Sequence, residues 1–310
     1  MTAVPALRIG TRGSPLALAQ TGEVARRLAA AHPPLAASGA VDVVTIKTSG
    51  DLVQDRTLAE LGGKGLFTKE IDEALLAGRI DLAVHSVKDL PTWLPEGIAL
   101  AAMLAREDPR DVFIARNAAS LAALAPGAAV GTASLRRQAQ ILHRRPDLKI
   151  VPLRGNVETR LRKLREGQVD ATLLALAGLR RLGRADAATA ILSPDDMLPA
   201  VGQGAIGITC RTADARVRAF LDPLNHVPTF ACVTAERAML EVLDGSCRTP
   251  IAGLAEIVGG RLLLRGLVAR PDGSRLIATR RDGTILDAVA LGREAGRELL
   301  MRAGPDFLAR

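Results

Sequence analysis

A chain of 310 residues is too long for one small core, and two or three domains are its natural division. With 48% apolar and 24% charged residues it is not a disordered chain, and the absence of a long apolar run excludes a membrane span. The net charge of +8 is carried overwhelmingly by Arg, lysine appearing only at 47, 64, 69, 88, 149 and 163, so an anionic partner that a planar guanidinium can grip is implied.

Nucleic acid is the first candidate for that partner, but no Tyr, one Trp and five Phe leave few platforms on which bases could stack. The opening MTAVPALRIGTRGS lacks the basic-then-apolar layout of a secretory signal. Cys210, Cys232 and Cys247 form no Cys-x-x-Cys pair, and His32, His85, His143 and His226 form no i, i+4 pair, so neither a disulfide framework nor a metal site is expected. These features describe a soluble cytoplasmic protein in a reducing compartment.

In chain order, Leu7 to Gly10 reads as a strand, and Ser14 with Pro15 as the N-cap and first residue of a helix through LALAQTGEVARRLAAA. Val41 to Lys47 reads as a second strand. Gly62, Gly63, Lys64 and Gly65 imitate a phosphate loop, but Gly follows the Lys where a magnesium-binding Ser or Thr is needed; a flexible lid is the better reading. A helix from Phe67 to Leu76, stopped by Gly78, and a strand from Ile80 to Val87 follow. That strand ends in HSVKDLP. In isolation Lys88 and Asp89 would be a surface turn with a weak ion pair, whereas in an arginine-lined cleft the carboxylate can hold a cationic intermediate or pass a proton.

The alternation restarts after the turn residues REDPR (106–110) with DVFIAR, AAVGT, a helix from Ser134 to Arg144, the strand KIVPLR, a helix through VETRLRKLREG and the strand VDATLLAL, and closes at SPDDMLP (193–199). This pattern predicts parallel-rich sheets flanked by helices. VGTASLRRQ sets Thr132, Ser134, Arg136 and Arg137 where a strand gives way to a helix, a point that attracts anions. A single such motif would be a capped helix with solvated arginines. Here PLRGNVETR adds Arg154 at the next strand end and Arg160 a turn into the next helix, and TRGSP repeats the theme with Arg12 and Ser14; carboxyl ends of strands are where open sheets bind ligands.

GQGAIG (202–207) fits a dinucleotide fingerprint by letter, but the following IGITC reads as a strand where that motif requires a helix. From about Asn225 the character changes to α+β: a helix TAERAMLEVL, then two alternating runs joined by PDG, a hairpin signal. Between them lies LDGSCRTPIAG. Cys210, in a strand, and Cys232, at a helix start, read as buried fillers, whereas Cys247 sits in a Gly-Ser turn beside Arg248, which favours its thiolate.

Taken together, LRIGTRGSPLALAQ, GGKGLFTKEID, VHSVKDLP, REDPRD, GTASLRRQ, LRGNVETRL, LPAVGQGA, LNH and ERAMLEVLDGSCRTPIAG resemble, in order and spacing over nearly the whole chain, the motif set of the hydroxymethylbilane synthase (porphobilinogen deaminase) family. The resemblance implies an α/β fold of two periplasmic-binding-protein-like domains, residues 1–104 with 200–223 and residues 105–199, with the site between them, and a smaller α+β domain, residues 224–310. It implies a transferase of tetrapyrrole (haem) biosynthesis that condenses four porphobilinogen molecules, with loss of ammonia, on a dipyrromethane held covalently by Cys247, one per chain, and acts as a monomer without nucleic acid or membrane.

By the same resemblance Asp89, with Lys88, matches the H-S-x-K-D motif credited with catalysis. Arg12, Ser14, Lys88, Thr132, Ser134, Arg136, Arg137, Arg154, Arg160 and Arg181 match positions that bind carboxylates of cofactor or substrate. Lys64 and Phe67 match the covering loop, and Gln203 a hinge. Ala133 and Ser246 stand where many relatives have Ser and Gly, which leaves the local loop geometry open. Two other readings remain: a solute-binding protein for an organic anion, which has no use for Cys247, and a nucleic-acid binder drawn by the +8 charge.

Overall fold

The structure is a computed structural model that describes residues 7–52, 65–243, 250–304 and 307. The described residues form two compact units, one of residues 7–52, 65–106 and 205–230, the other of residues 107–204 and the chain from 231 onward.

The first unit begins with strand β1 (Leu7–Thr11) and helix α1 (Pro15–Ala31). Ser14 Oγ accepts a 3.2 Å hydrogen bond from Ala17 N, and Pro15 fills the first helical position, where its missing N–H costs nothing. The helix buries Gln20, Thr21, Val24 and Leu28. Strand β2 (Val41–Thr45) and the short α2 (Ser49–Leu52) come next, and helix α3 (Lys69–Leu76) packs Ile71 and Leu75 with Ile80 and Ile98. Strands β3 (Leu82–Ser86) and β4 (Ile98–Met103) complete this part of the unit.

The second unit contributes β5 (Asp111–Ala115), β6 (Ala129–Gly131), α4 (Leu135–Arg144), β7 (Lys149–Val151), α5 (Val157–Arg165), β8 (Ala171–Ala175), α6 (Leu176–Arg181) and β9 (Ala190–Ile191). The chain then returns to the first unit with β10 (Ile206–Arg211) and α7 (Ala215–Leu221). The strand at 206–211, in place of a helix, removes the dinucleotide reading of GQGAIG.

The two five-stranded sheets share one topology. Their orders are β2-β1-β3-β10-β4 and β7-β6-β8-β5-β9, and in each the fourth strand alone runs against the others. The reversed strands are the first strand after the chain enters the second unit and the first after it returns. A strand arriving that way has no crossover helix to turn it parallel to its neighbour. The sheets are therefore parallel-rich, with one exception each.

Helix α8 (Val227–Val242) leads to the antiparallel strands β11 (Ile251–Val258), β12 (Arg261–Ala269) and β13 (Leu276–Gly283) and to helix α9 (Ala288–Ala303). One face of this sheet packs Leu262, Leu264 and Val268 with Met239 of α8 and Leu299 of α9. The helices touch closely because Gly292 has no Cβ: one there would lie 2.2 Å from Ala235 O. Ala252, Leu254, Leu267 and Ala269 pack instead with Ala139 of α4 and with Leu198. No helix among the described residues is long and apolar enough to cross a membrane.

Candidate active site

In the first unit the carboxyl ends of β1 and β3 open onto a pocket lined by Arg12, Ser14, Gln20, Phe67, His85 and Asp89, among others. Asp89 and Lys88 belong to a single 3-10 turn, Val87–Asp89, that follows β3 directly. Asp89 is partly exposed, and no hydrogen bond or ion pair joins its side chain to another described residue. Arg12 stacks on Phe67, its guanidinium carbon 4.1 Å from the ring centroid. Ser14 caps α1 and also lines the pocket.

Gln20 and His85 line the pocket without having been named as site residues from the sequence. Gln20 accepts a 3.0 Å hydrogen bond from Ser86 Oγ. Its signal was a long polar side chain on the buried stripe of α1. His85 is buried and hydrogen-bonded through Nε2 to Thr209 Oγ1 at 3.0 Å. Burial, and after it the charge of Arg12, lowers the His85 pKa to about 4, so its imidazole is neutral.

In the second unit Thr132 and Ser134 lie between β6 and α4. Thr132 Oγ1 accepts from Ser134 N at 3.1 Å, and Ser134 Oγ from Arg137 N at 3.4 Å, so both hydroxyls order the start of the helix. The sequence reading places Arg136 and Arg137 at this helix start as anion-binding groups. Both are buried on one internal carboxylate: Arg136 Nη2 lies 2.8 Å and Arg137 Nη2 2.7 Å from the oxygens of the wholly buried Asp111. Burying a charged group without such a partner is costly. Arg136 also donates to Leu198 O and Arg137 to Leu173 O, and Gln203 Nε2 donates to Asp111 Oδ1 at 2.9 Å and Pro109 O at 2.7 Å.

Burial by itself pushes the Asp111 carboxyl up, but the charges of Arg136 and Arg137 and the hydrogen bonds from Arg137 and Gln203 outweigh it and hold the group well below the usual carboxylate range. Asp111 was missed because its partners lie far along the chain; the only signal was an acid at the head of the apolar run DVFIAR.

The remaining basic positions of this unit are partly exposed. Arg154 follows β7 and keeps Nη1 buried with no hydrogen-bond partner; Arg137 Nε is in the same condition. Arg160 Nε donates to Gly155 O at 2.8 Å, and Arg181 Nη2 to Gly204 O at 2.9 Å. Gly204 has φ +90°, and a Cβ there would meet Glu107 O at 2.3 Å, so the GQGA turn requires glycine at this point. Cys210 and Cys232 are buried, as fillers are, and burial pushes the Cys210 thiol up. Lys64, Ser246, Cys247 and Arg248 lie outside the described residues.

A family model described as porphobilinogen deaminase, dipyromethane cofactor binding domain, matches residues 7–219, and one described as porphobilinogen deaminase, C-terminal domain, matches residues 230–301. The chain is 59% identical over 307 residues to a chloroplastic porphobilinogen deaminase of Oryza sativa subsp. japonica, covering 98% of this chain and 86% of that one. It is 58% identical over 299 residues to the porphobilinogen deaminase of Nitrobacter winogradskyi, covering 96% and 94%. Among solved structures it is similar to a periplasmic substrate-binding protein of an ABC transporter from Coxiella burnetii, at 17% identity and a TM-score of 0.44 over 74% of this chain and 94% of that one. By the two family models and the identity along nearly its whole length, the chain belongs to the porphobilinogen deaminase family.

Proposed function

We propose that the chain is a hydroxymethylbilane synthase, which joins four porphobilinogen molecules head to tail with loss of ammonia and releases the linear product by hydrolysis. The observation that carries this reading is the pocket in which Asp89 stands at a strand end with the cationic Arg12 and the neutral His85. Porphobilinogen bears two carboxylates and an aminomethyl group. Arg12 is suited to hold a carboxylate. When ammonia leaves, the pyrrole becomes an azafulvenium cation, and Asp89, with no partner among the described residues to neutralise it, offsets that charge and accepts from the pyrrole N–H.

A dipyrromethane held by this chain would supply a pyrrole with a free α-carbon, the nucleophile that each condensation needs. The second unit fits such a polycarboxylate: the buried donors Arg154 Nη1 and Arg137 Nε lack partners, and two buried guanidiniums face a single carboxylate. Arg136, Arg137, Arg154, Arg160 and Arg181, with the hydroxyls of Thr132 and Ser134, hold its carboxylates, and Cys247 anchors it through a thioether. Lys88 adds positive charge next to Asp89, and Lys64, Phe67 and Gln203 serve the covering loop and the hinge. The protein then works as a cytoplasmic monomer of three domains, residues 224–310 carrying the anchor.

Intact-mass spectrometry of protein from cells that make porphobilinogen tests this directly. The mass should exceed the 32.5 kDa chain by two pyrrole units. The excess should resist reducing agents, vanish in Cys247→Ala and persist in Cys210→Ala and Cys232→Ala. A protein that gains no mass even after incubation with porphobilinogen is not this synthase, and binding of organic anions without turnover would then place it with the solute-binding proteins.

A further inference from the structure

Asp111, Arg136 and Arg137 form a buried cluster with two positive charges and one negative. The carboxylate is wholly buried, and both arginine side chains are 6% exposed. The Asp111 side chain meets the two guanidiniums and one amide: Arg137 Nη2 at 2.7 Å on Oδ1, Arg136 Nη2 at 2.8 Å from Oδ2, and Gln203 Nε2 at 2.9 Å on Oδ1. Leu198 O, Leu173 O and Gln203 Oε1 accept from the same two arginines, which fixes their planes but adds no formal charge. One positive charge is left over, and Arg137 Nε remains a buried donor with no partner. Removing Asp111 would leave two buried cations that repel each other.

We propose that Asp111 is an internal stand-in for a ligand carboxylate: it positions Arg136 and Arg137 and cancels one of their two charges, so that the pair has capacity left for one carboxylate and not two. The proposal rests on the reading of this cluster as part of a carboxylate-binding site. Asp111 is a positioning residue. It touches no reacting atom, and its effect on the reaction passes through the arginines. Because its own side chain is an acetate fused to the backbone, free acetate is the small molecule that matches what Asp111→Ala deletes.

The experiment compares thermal unfolding of the full-length chain and its Asp111→Ala variant in chloride and in acetate at the same ionic strength and pH 7. Acetate should raise the midpoint of the variant by several degrees more than that of the unchanged protein. It should also restore part of the rate at which the variant gains mass on incubation with porphobilinogen. If Asp111→Ala is unfolded in chloride, the comparison is made on the yield refolded from urea in the two salts, and acetate should give the larger yield. A merely structural carboxylate would let acetate raise the midpoint without restoring the rate of mass gain, so a variant that acetate stabilises but that still gains mass at its chloride rate overturns the proposal, as does an equal response of variant and parent to acetate in midpoint or in refolded yield. The unfolding arm needs no pyrrole: failure of the synthase reading would appear as no mass gain in the unchanged protein, with the acetate result standing by itself.

Discussion

The guanidinium of Arg12 lies 4.1 Å from the centre of the Phe67 ring, and the ring itself rests against the bare α-carbon of Gly50, where a Cβ would sit 2.3 Å from Phe67 Cε1. The aromatic face thus holds the pocket's cation in one plane before substrate arrives. Phe67→Leu removes the stack, worth about 0.5–2 kcal/mol at a partly desolvated site. Since the stack acts on binding, KM should rise roughly 2- to 30-fold while kcat changes little. Steady-state kinetics measures the split, and Gly50→Ala, which displaces the ring, should move KM in the same direction.

Asp72, on the first turn of α3, is 6% exposed and keeps Oδ1 without a hydrogen-bond partner. Burial raises its pKa from the ordinary 3.8 to about 6, against a smaller opposing hydrogen bond with Thr68. The folded state therefore binds a proton more tightly than the unfolded chain. Below pH 3.8 both states are protonated and the residue has no effect; as pH climbs to about 6 it destabilises the fold progressively, and above that the loss is constant. Allowing for partial screening by solvent, the loss is about 1–2 kcal/mol. Asp72→Asn should melt higher than the parent at pH 7.5 and together with it at pH 3.5, as thermal unfolding at the two pH values will show.

The arginines of the second unit should divide by what they already hold. The sequence reading leads to Leu variants of Arg136 and Arg137 that fold normally and merely fail to load the cofactor. With Asp111 buried between them, loss of either guanidinium instead strips a buried carboxylate of a partner, a change that costs about 3–5 kcal/mol. Arg154 is partly exposed and makes no ion pair with a described residue, so Arg154→Leu should leave the melting temperature nearly unchanged and still reduce the covalent mass gain. Unfolding curves and intact mass on the three variants distinguish the two classes, and a stable Arg137→Leu would count against the buried-charge argument.

What the sequence disclosed was what short-range chemistry determines. Ser14 before Pro15 specified a helix start that the structure reproduces at the same residues, and PDG between alternating runs specified the β12–β13 hairpin. Strand β4 escaped because IALAAM is rich in Ala, a helix former, and only its place beside β10 makes it a strand. Helix α8 starts at Val227, ahead of the expected Thr234, because burial of Cys232 and Val233 in the core overrides the weak helical propensity of VPTF. The strand ends carrying Arg12, Asp89 and Arg154 were legible, since a basic or acidic residue closing an apolar run is a local pattern. Asp111 as partner of Arg137 was not, because 26 residues separate them and only tertiary packing sets one on the other.

Asp89 should act on the chemical step and not on anchoring. It stands in the turn directly after β3, lines the same pocket as Arg12, and has no described partner to neutralise it, so its charge is available to a cation formed there. Asp89→Asn keeps the shape and one acceptor oxygen but removes the charge. The variant should fold with the parent's melting temperature and carry the dipyrromethane mass, because neither depends on this carboxylate. Losing an electrostatic contact made chiefly in the transition state lowers kcat about 100- to 1,000-fold, with KM nearly unchanged. Kinetics on protein whose covalent loading has first been verified by mass separates a failed reaction from a failed assembly. A loaded Asp89→Asn enzyme turning over at the parent's rate would remove Asp89 from the chemistry and leave Arg12 and the neutral His85 as the groups to test next.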